Sequence, residues 1–215
     1  MNNVSKTIRW ADWTFNPITG CNNGCPYCYA RRIYHRFKKS FAPKFHPDKL
    51  GELYKLKKPG RIFVGSVTDF WSQGVKPEWR KAVYETMDNN PQHQYFILTK
   101  RPENIPVLEK RYLYDFYLGI SVTGANELWD KYPILAERGN KIFISFEPVL
   151  SNIAMPPDLL DWRRPNWVII GGLTGSKQKT NPVDVSNLLG KIPTGIPIFI
   201  KDNLNWNPKR QEYPI

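Results

Sequence analysis

Seven short runs of β-branched and aromatic residues, set apart by stretches with helical periodicity, constrain this chain more than any other feature. Residues 61–65, 94–99, 116–122, 141–145, 166–171 and 197–201 are the clear runs, and residues 12–16 form a shorter, weaker one. The clear runs are nearly continuously apolar, the pattern of strands covered on both faces. Between them, Ala30, Ile33, Tyr34 and Phe37 follow the i, i+3, i+4, i+7 rule of an amphipathic helix. Trp79, Ala82, Val83 and Met87 repeat it, with Pro77 at the helix start and Asn89-Asn90-Pro91 at the stop. Ile105, Leu108 and Tyr112 predict a third helix, residues 126–139 a fourth broken at Pro133, and Val185, Leu188 and Leu189 a later one. Alternating strands and helices build parallel βαβ units.

Seven strands in 215 residues fall short of the roughly 250 residues of a full eightfold barrel. The expected fold class is therefore α/β: a partial, open parallel β/α barrel of about six to seven strands, in a single domain spanning 1–215. A doubly wound sheet has the same periodicity and stays open as the alternative. No linker, low-complexity segment or heptad repeat interrupts the chain. Its longest apolar run, around residues 167–173, has strand length, well short of the roughly 18–20 residues of a membrane span. Residues 1–6 are not backed by the apolar core of a signal peptide. The expectation is a cytoplasmic protein with no membrane partner, in a reducing compartment where thiolates survive.

The only cysteines, Cys21, Cys25 and Cys28, fall within eight positions, in a loop at 20–29. An odd count argues against a disulfide framework. Closed zinc and iron–sulfur sites take four protein ligands. Three thiolates on a [4Fe–4S] cube leave one iron open to an exogenous ligand. A structural zinc site is the rival and needs a fourth ligand, for which His35 and His46 are available. His35 lies on the polar side of its helix pattern and reads as a solvated residue.

The carboxyl ends of the strand runs turn polar in series: Ser66, Thr68 and Asp69; Thr99, Lys100 and Arg101; Ser121 and Thr123; Ser145 and Glu147; Gly171, Gly172 and Thr174; Lys201 and Asp202. In a parallel barrel these ends converge on one face, where active sites are built. The net charge of +12 and pI of about 9.6 suit a polyanionic partner. Residues 31–44 hold six basic side chains and no acid. Arg31, Arg32, Arg36, Lys38 and Lys39 are the nucleic-acid candidates. The interleaved Tyr34, Phe37 and Phe41, at helical spacing, read as core contacts.

The C-x3-C-x2-C spacing with Tyr27 before the last cysteine is similar to the cluster loop of radical S-adenosylmethionine enzymes. Further landmarks follow in order: Trp13-Thr-Phe-Asn-Pro-Ile-Thr-Gly-Cys21, Cys28-Tyr-Ala30, Arg61-Ile-Phe-Val-Gly-Ser66 with Asp69, Leu98-Thr-Lys-Arg-Pro102, Ser145-Phe-Glu-Pro148, Trp167-Val-Ile-Ile-Gly-Gly172 and Phe199-Ile-Lys201. Together they resemble a phage-associated, radical-SAM-like family of largely uncharacterised proteins. The resemblance covers nearly the whole chain. It departs at Leu173-Thr174-Gly175, where the family pattern has Glu-Ser-Gly.

That resemblance implies a [4Fe–4S] cluster on Cys21, Cys25 and Cys28, with S-adenosylmethionine on the open iron. The reduced cluster would cleave the sulfonium and release a 5′-deoxyadenosyl radical that abstracts hydrogen from a substrate, with nucleic acid the candidate. An electron donor of flavodoxin or ferredoxin type is implied. The strand-end residues Ser66, Asp69, Lys100, Ser121, Glu147, Gly171, Gly172 and Lys201 become the cofactor-binding candidates. Asp69 would meet the cofactor ammonium or cap the following segment. Lys100 would meet a carboxylate or phosphate, and Glu147 a ribose hydroxyl or a lysine, Lys201 or Lys100. The glycines, Gly175 included, would allow close backbone approach. The alternative from another class is a nucleic-acid-binding protein with a structural iron–sulfur or zinc site and no turnover.

Overall fold

All seven apolar runs form strands in the computed structural model, which describes residues 1–112, 115–155, 164–174 and 179–214. The chain divides into two units, Met1–Tyr112 and Leu113–Ile215.

In the first unit, strands β1 (Asn2–Asn3), β2 (Trp13–Phe15), β5 (Arg61–Val64) and β6 (Gln94–Thr99) lie side by side in that order. Only β1 is antiparallel to its neighbour; β2, β5 and β6 run parallel. Phe15 is level with Val64, and Val64 with Ile97. The loops that leave β2, β5 and β6 therefore start from one edge of the sheet. Phe15, Ile62, Val64, Phe96 and Ile97 are buried, and the Trp10 ring packs 4.8 Å from that of Phe63. A separate antiparallel pair, β3 (Ile18–Thr19) with β4 (Lys44–Phe45), flanks the cysteine loop. Such two-residue strands carry no periodicity and were not foreseen from sequence.

Helix α1 (Tyr29–Arg36) follows the last cysteine, and α2 (Pro77–Asp88) matches its predicted span. Pro77 sits in the first turn of α2, where its missing N–H costs no hydrogen bond. Val83, Tyr84 and Met87 point inward. The predicted third helix is instead two short 3-10 turns, Pro102–Asn104 and Val107–Arg111. Prolines at 102 and 106 supply no amide hydrogen for a continuous α-helical ladder. Ile105 is buried, whereas Leu108 is exposed.

In the second unit, β7 (Tyr117–Ser121), β8 (Lys141–Phe146), β9 (Trp167–Ile170) and β10 (Ile198–Ile200) are parallel throughout. Every residue of β7, β9 and β10 is buried, as unbroken apolar runs require. A side chain at Gly119 could not be added, because the Phe143 ring would lie 2.4 Å from its Cβ. Helix α3 (Glu127–Arg138) runs straight through Pro133, against the predicted break. Leu128, Tyr132 and Leu135 are all buried along it. At about 1.5–3 kcal/mol for each large apolar side chain, that face outweighs a proline cost of about 3 kcal/mol. Helix α4 (Pro182–Leu189) starts where Asn181 Oδ1 accepts the Val183 amide at 3.0 Å.

Candidate metal centre

The cysteine loop is pinned where it begins. Gly20 adopts φ +82°, and a Cβ there would fall 2.2 Å from the Ala42 carbonyl oxygen, so only glycine fits. Its amide donates to Val67 O at 3.1 Å, and Thr68 Oγ1 donates to its carbonyl at 2.6 Å. The next amide, of Cys21, donates to Phe41 O at 2.9 Å. The loop thus starts fastened to the segment that leaves β5.

All three cysteines are free thiols of intermediate exposure. Backbone amides face two of the sulfurs: Asn23 N–H donates to Cys21 Sγ and Arg31 N–H to Cys28 Sγ, each at 3.4 Å. Cys28 is the N-cap of α1, so the positive end of that helix lies at its sulfur. Burial raises the Cys21 thiol pKa; the Asn23 amide and Ser72 hydroxyl oppose the rise, and Asp69 and Cys25 add to it. Among the described residues, no three histidine, cysteine or carboxylate side chains are gathered closely enough to hold a metal ion as they stand. The donor chemistry nevertheless fits an iron–sulfur cluster: three soft sulfurs on one loop, with amide N–H groups aimed at two of them.

Asp69 is the hub of this site. Its carboxylate is buried at 5% exposure and accepts four hydrogen bonds. Oδ1 receives the Trp71 amide at 3.1 Å and Thr99 Oγ1 at 2.7 Å. Oδ2 receives Asn23 Nδ2 and the Lys100 amide, both at 2.8 Å. A carboxylate has about four acceptor positions, and all are used. Asp69 caps the turn after β5 and ties the cysteine loop to the end of β6. A cofactor ammonium would have to displace one of these donors.

Asn22 and Asn23, between the first two cysteines, drew no attention as sequence. Yet Asn22 N–H donates to Ser72 Oγ at 2.8 Å and its Nδ2 to Gln73 O at 2.8 Å. Ser72 Oγ also lies 3.5 Å from Cys21 Sγ. The available signal was a pair of short amides held between two candidate ligand positions. Ser66 is likewise engaged: its hydroxyl lies 3.1 and 3.2 Å from the Asn16 amide atoms, and its carbonyl accepts Tyr29 OH at 2.8 Å. Lys100 Nζ lies over the Tyr27 ring, 5.2 Å from its centroid, beside Cys28.

Two assignments on α1 need correction. Arg31, a nucleic-acid candidate, turns inward: its guanidinium donates to Cys21 O at 2.8 Å and lies 5.2 Å from the Phe41 ring centre. It braces the loop instead of meeting solvent phosphates. The aromatic residues expected in the core divide. Phe41 is buried and packs 4.9 Å from the Tyr34 ring, but Phe37 is 64% exposed and Ile33 49%. Arg32, Arg36, Lys38 and Lys39 are exposed, and so is His35, as its polar helix position predicted. His46 pairs with Thr19 Oγ1 at 2.9 Å.

In the second unit, Lys201 and Glu147 form an ion pair directly against Gly171. A Cβ at Gly171 would lie 2.8 Å from Lys201 Cδ and 3.0 Å from Glu147 Cδ. The close approach this glycine allows is thus taken by the chain's own side chains. Glu147 selects Lys201 from its two predicted lysines. Asn203 brackets Gly172, accepting its amide at 3.1 Å and donating to its carbonyl at 2.7 Å. Ser121 is buried level with Ser145 on the neighbouring strand. Gly175 lies outside the described residues.

The parallel β/α architecture has a counterpart among solved structures. One, described as spore photoproduct lyase complexed with dinucleoside spore photoproduct, shares 12% identity at a TM-score of 0.58 over 86% of this chain and 62% of that one. A double mutant of the same lyase, with bound AdoMet and dinucleoside spore photoproduct, gives 11% identity and a TM-score of 0.57 over the same shares. The likeness is one of fold, the partial, open parallel β/α barrel class that the strand count predicted, and the chain spans about 62% of the lyase's length. No curated protein sequence matches the chain significantly. Over residues 5–212 it matches the family described as protein of unknown function (DUF5131), and it belongs to that family. Among the described residues, no helix is long and apolar enough to cross a membrane.

Proposed function

We propose that this protein is a radical S-adenosylmethionine enzyme that acts on nucleic acid. One observation carries the reading: a loop with three free cysteines, faced by amide donors and braced by Asp69 to the end of β6, on a fold shared with an AdoMet-bound lyase. Cys21, Cys25 and Cys28 would hold a [4Fe–4S] cluster, which leaves one iron for the cofactor. When bound, this pair supplies an electron to the sulfonium and a 5′-deoxyadenosyl radical that takes hydrogen from the substrate.

The chain's own residues do the positioning. Asp69 holds the loop through Asn23 and the Lys100 amide, and Arg31 holds it through Cys21 O, each contact at 2.8 Å. The amides of Asn23 and Arg31 stabilise negative charge on two sulfurs. Ser66 and Lys100 lie beside the loop through Tyr29 and Tyr27. A nucleic-acid substrate is supported by the net charge of +12 and by the dinucleoside photoproduct named with both lyase structures.

Anaerobic reconstitution with iron and sulfide tests the reading. The expected result is about four irons per chain, visible absorbance, and 5′-deoxyadenosine on addition of S-adenosylmethionine and dithionite. Its yield should rise when a DNA or RNA oligonucleotide is added. A full cluster without 5′-deoxyadenosine would support the structural-cluster alternative, and zinc in place of iron would sink both.

A further inference from the structure

The chain leaving β10 forms a closed loop of its own. Ile200 N–H donates to Arg210 O at 2.8 Å and Gln211 Nε2 to Asp202 Oδ1 at 3.1 Å, so both ends of the loop are fastened. A cavity of about 120 Å³ lies there, lined by Ile200, Lys201, Asp202, Asn205, Trp206 and Lys209. Its cations are already balanced: Lys201 pairs with Glu147, and Lys209 with Asp202 at 2.9 Å. Its aromatic residue is not engaged in that way. Trp10, Trp71, Trp79 and Trp167 pack against other rings, and Trp71 and Trp167 also spend their indole N–H groups. Among the described residues, the half-buried Trp206 has no ring, cation or hydrogen-bond partner for its side chain, and neither has the exposed Asn205 amide.

We propose that this cavity receives one unpaired base of a single-stranded nucleic acid. Trp206 supplies the stacking face, Asn205 reads the base edge, and Lys209 meets the adjoining phosphate. The inference rests on the nucleic-acid half of the proposed function and asks nothing of the cluster. Charge favours a base: with Lys201 and Lys209 balanced by Glu147 and Asp202, the lining suits a neutral flat ring better than a free anion. Size agrees. The cavity holds several times what one water needs, yet falls well short of the roughly 300–1,000 Å³ that encloses a whole small molecule. One ring enters, and its sugar and phosphate stay outside, where the Lys209 side chain is 54% exposed. The Asn205 amide offers a donor and an acceptor side by side, as a base edge requires. S-adenosylmethionine fits less well, because a radical cofactor has to be shut away from water and this cavity opens to solvent. A duplex keeps its base faces stacked inside, so only an unpaired or extruded base reaches an indole.

The test measures binding of labelled oligonucleotides to the full chain by fluorescence anisotropy. Wild type should bind a single strand more tightly than the duplex of the same sequence. Trp206→Ala should weaken single-strand binding roughly 5- to 150-fold, whereas Trp206→Phe, which keeps an aromatic face, should retain most of it. Lys209→Ala should lower the slope of log affinity against log salt by about 0.7. Unchanged thermal melts show that the variants fold. A second measurement follows the indole N–H signals by NMR, with that of Trp206 assigned as the one missing from Trp206→Phe. Adenosine and cytidine monophosphates should shift it. An unmoved Trp206 signal, or equal single-strand binding by wild type and Trp206→Ala, overturns the inference. So does a signal moved by S-adenosylmethionine alone. Oligonucleotide binding that ignores Trp206 removes the base site and leaves the nucleic-acid reading standing. Absence of 5′-deoxyadenosine from the reconstituted protein sinks the radical reading instead, and the indole signal still decides the base site.

Discussion

Asn23 Nδ2 donates to Asp69 Oδ2 at 2.8 Å, which joins the middle of the cysteine loop to a carboxylate 46 residues away. Since that carboxylate also receives Trp71, Thr99 and Lys100, the loop is held against the carboxyl ends of β5 and β6 by one buried group. Asp69→Asn would turn an amide N–H₂ toward donors that need acceptors. The variant should lose about 1–3 kcal/mol in chemical denaturation, retain at most about half the iron after reconstitution, and show faster hydrogen exchange in the loop. Asn23→Ala should shift the iron content the same way by less. Full iron retention in Asp69→Asn would remove the brace from the account.

Gly20 offers a sharper backbone test. Its φ of +82° costs other residues about 1–3 kcal/mol, and Ala42 O leaves no room for a Cβ. Gly20→Ala should therefore exceed that strain in a urea melt. Gly24→Ala, at φ +72° with nothing within 4 Å of the added Cβ, should cost only the strain.

Glu109 anchors a buried network away from the cysteines. It accepts Arg80 Nε at 2.9 Å, Trp71 Nε1 at 3.0 Å and Tyr84 OH at 3.1 Å. Glu109→Ala should cost about 3–5 kcal/mol, because Arg80 is left buried without its charge partner. The Arg80→Met/Glu109→Leu double variant should recover much of that loss. Equilibrium denaturation of the two separates a buried ion pair from simple packing.

The Arg61 guanidinium holds the Asp12 carboxyl below the usual carboxylate range, and burial opposes it only in part. A carboxyl with a lowered folded pKa stabilises the protein fully above its unfolded pKa, near about 3.9. That stabilisation is lost as pH falls through the folded value. Both side chains are part-exposed, so the contribution stays at or below about 1 kcal/mol. Asp12→Asn should flatten the acid limb of stability below about pH 4 and lower stability slightly at pH 7, read from urea midpoints at both.

Strand positions were legible because a strand covered on both faces has to be apolar along its middle, as β6, β7 and β8 are between their polar ends and β9 and β10 are throughout. The cysteine loop was legible because its three thiols fall within eight residues. Helix α1 was misread because spacing places Ile33 and Phe37 on one line without saying whether another element covers that line. Pro133 was misread because the packing that offsets its cost comes from residues far away in sequence.

The sequence by itself determined the parallel β/α class and the place of the cysteine loop, set by local periodicity and by three thiols within eight residues. Only the tertiary structure decided what the polar strand ends do. Asp69 became the brace for Asn23, Arg31 turned inward to Cys21 O, and Lys201 closed over Gly171 on Glu147. Hydrogen bonds and ion pairs between distant residues depend on which side chains the fold brings within about 3 Å of each other, and spacing along the chain carries no record of that.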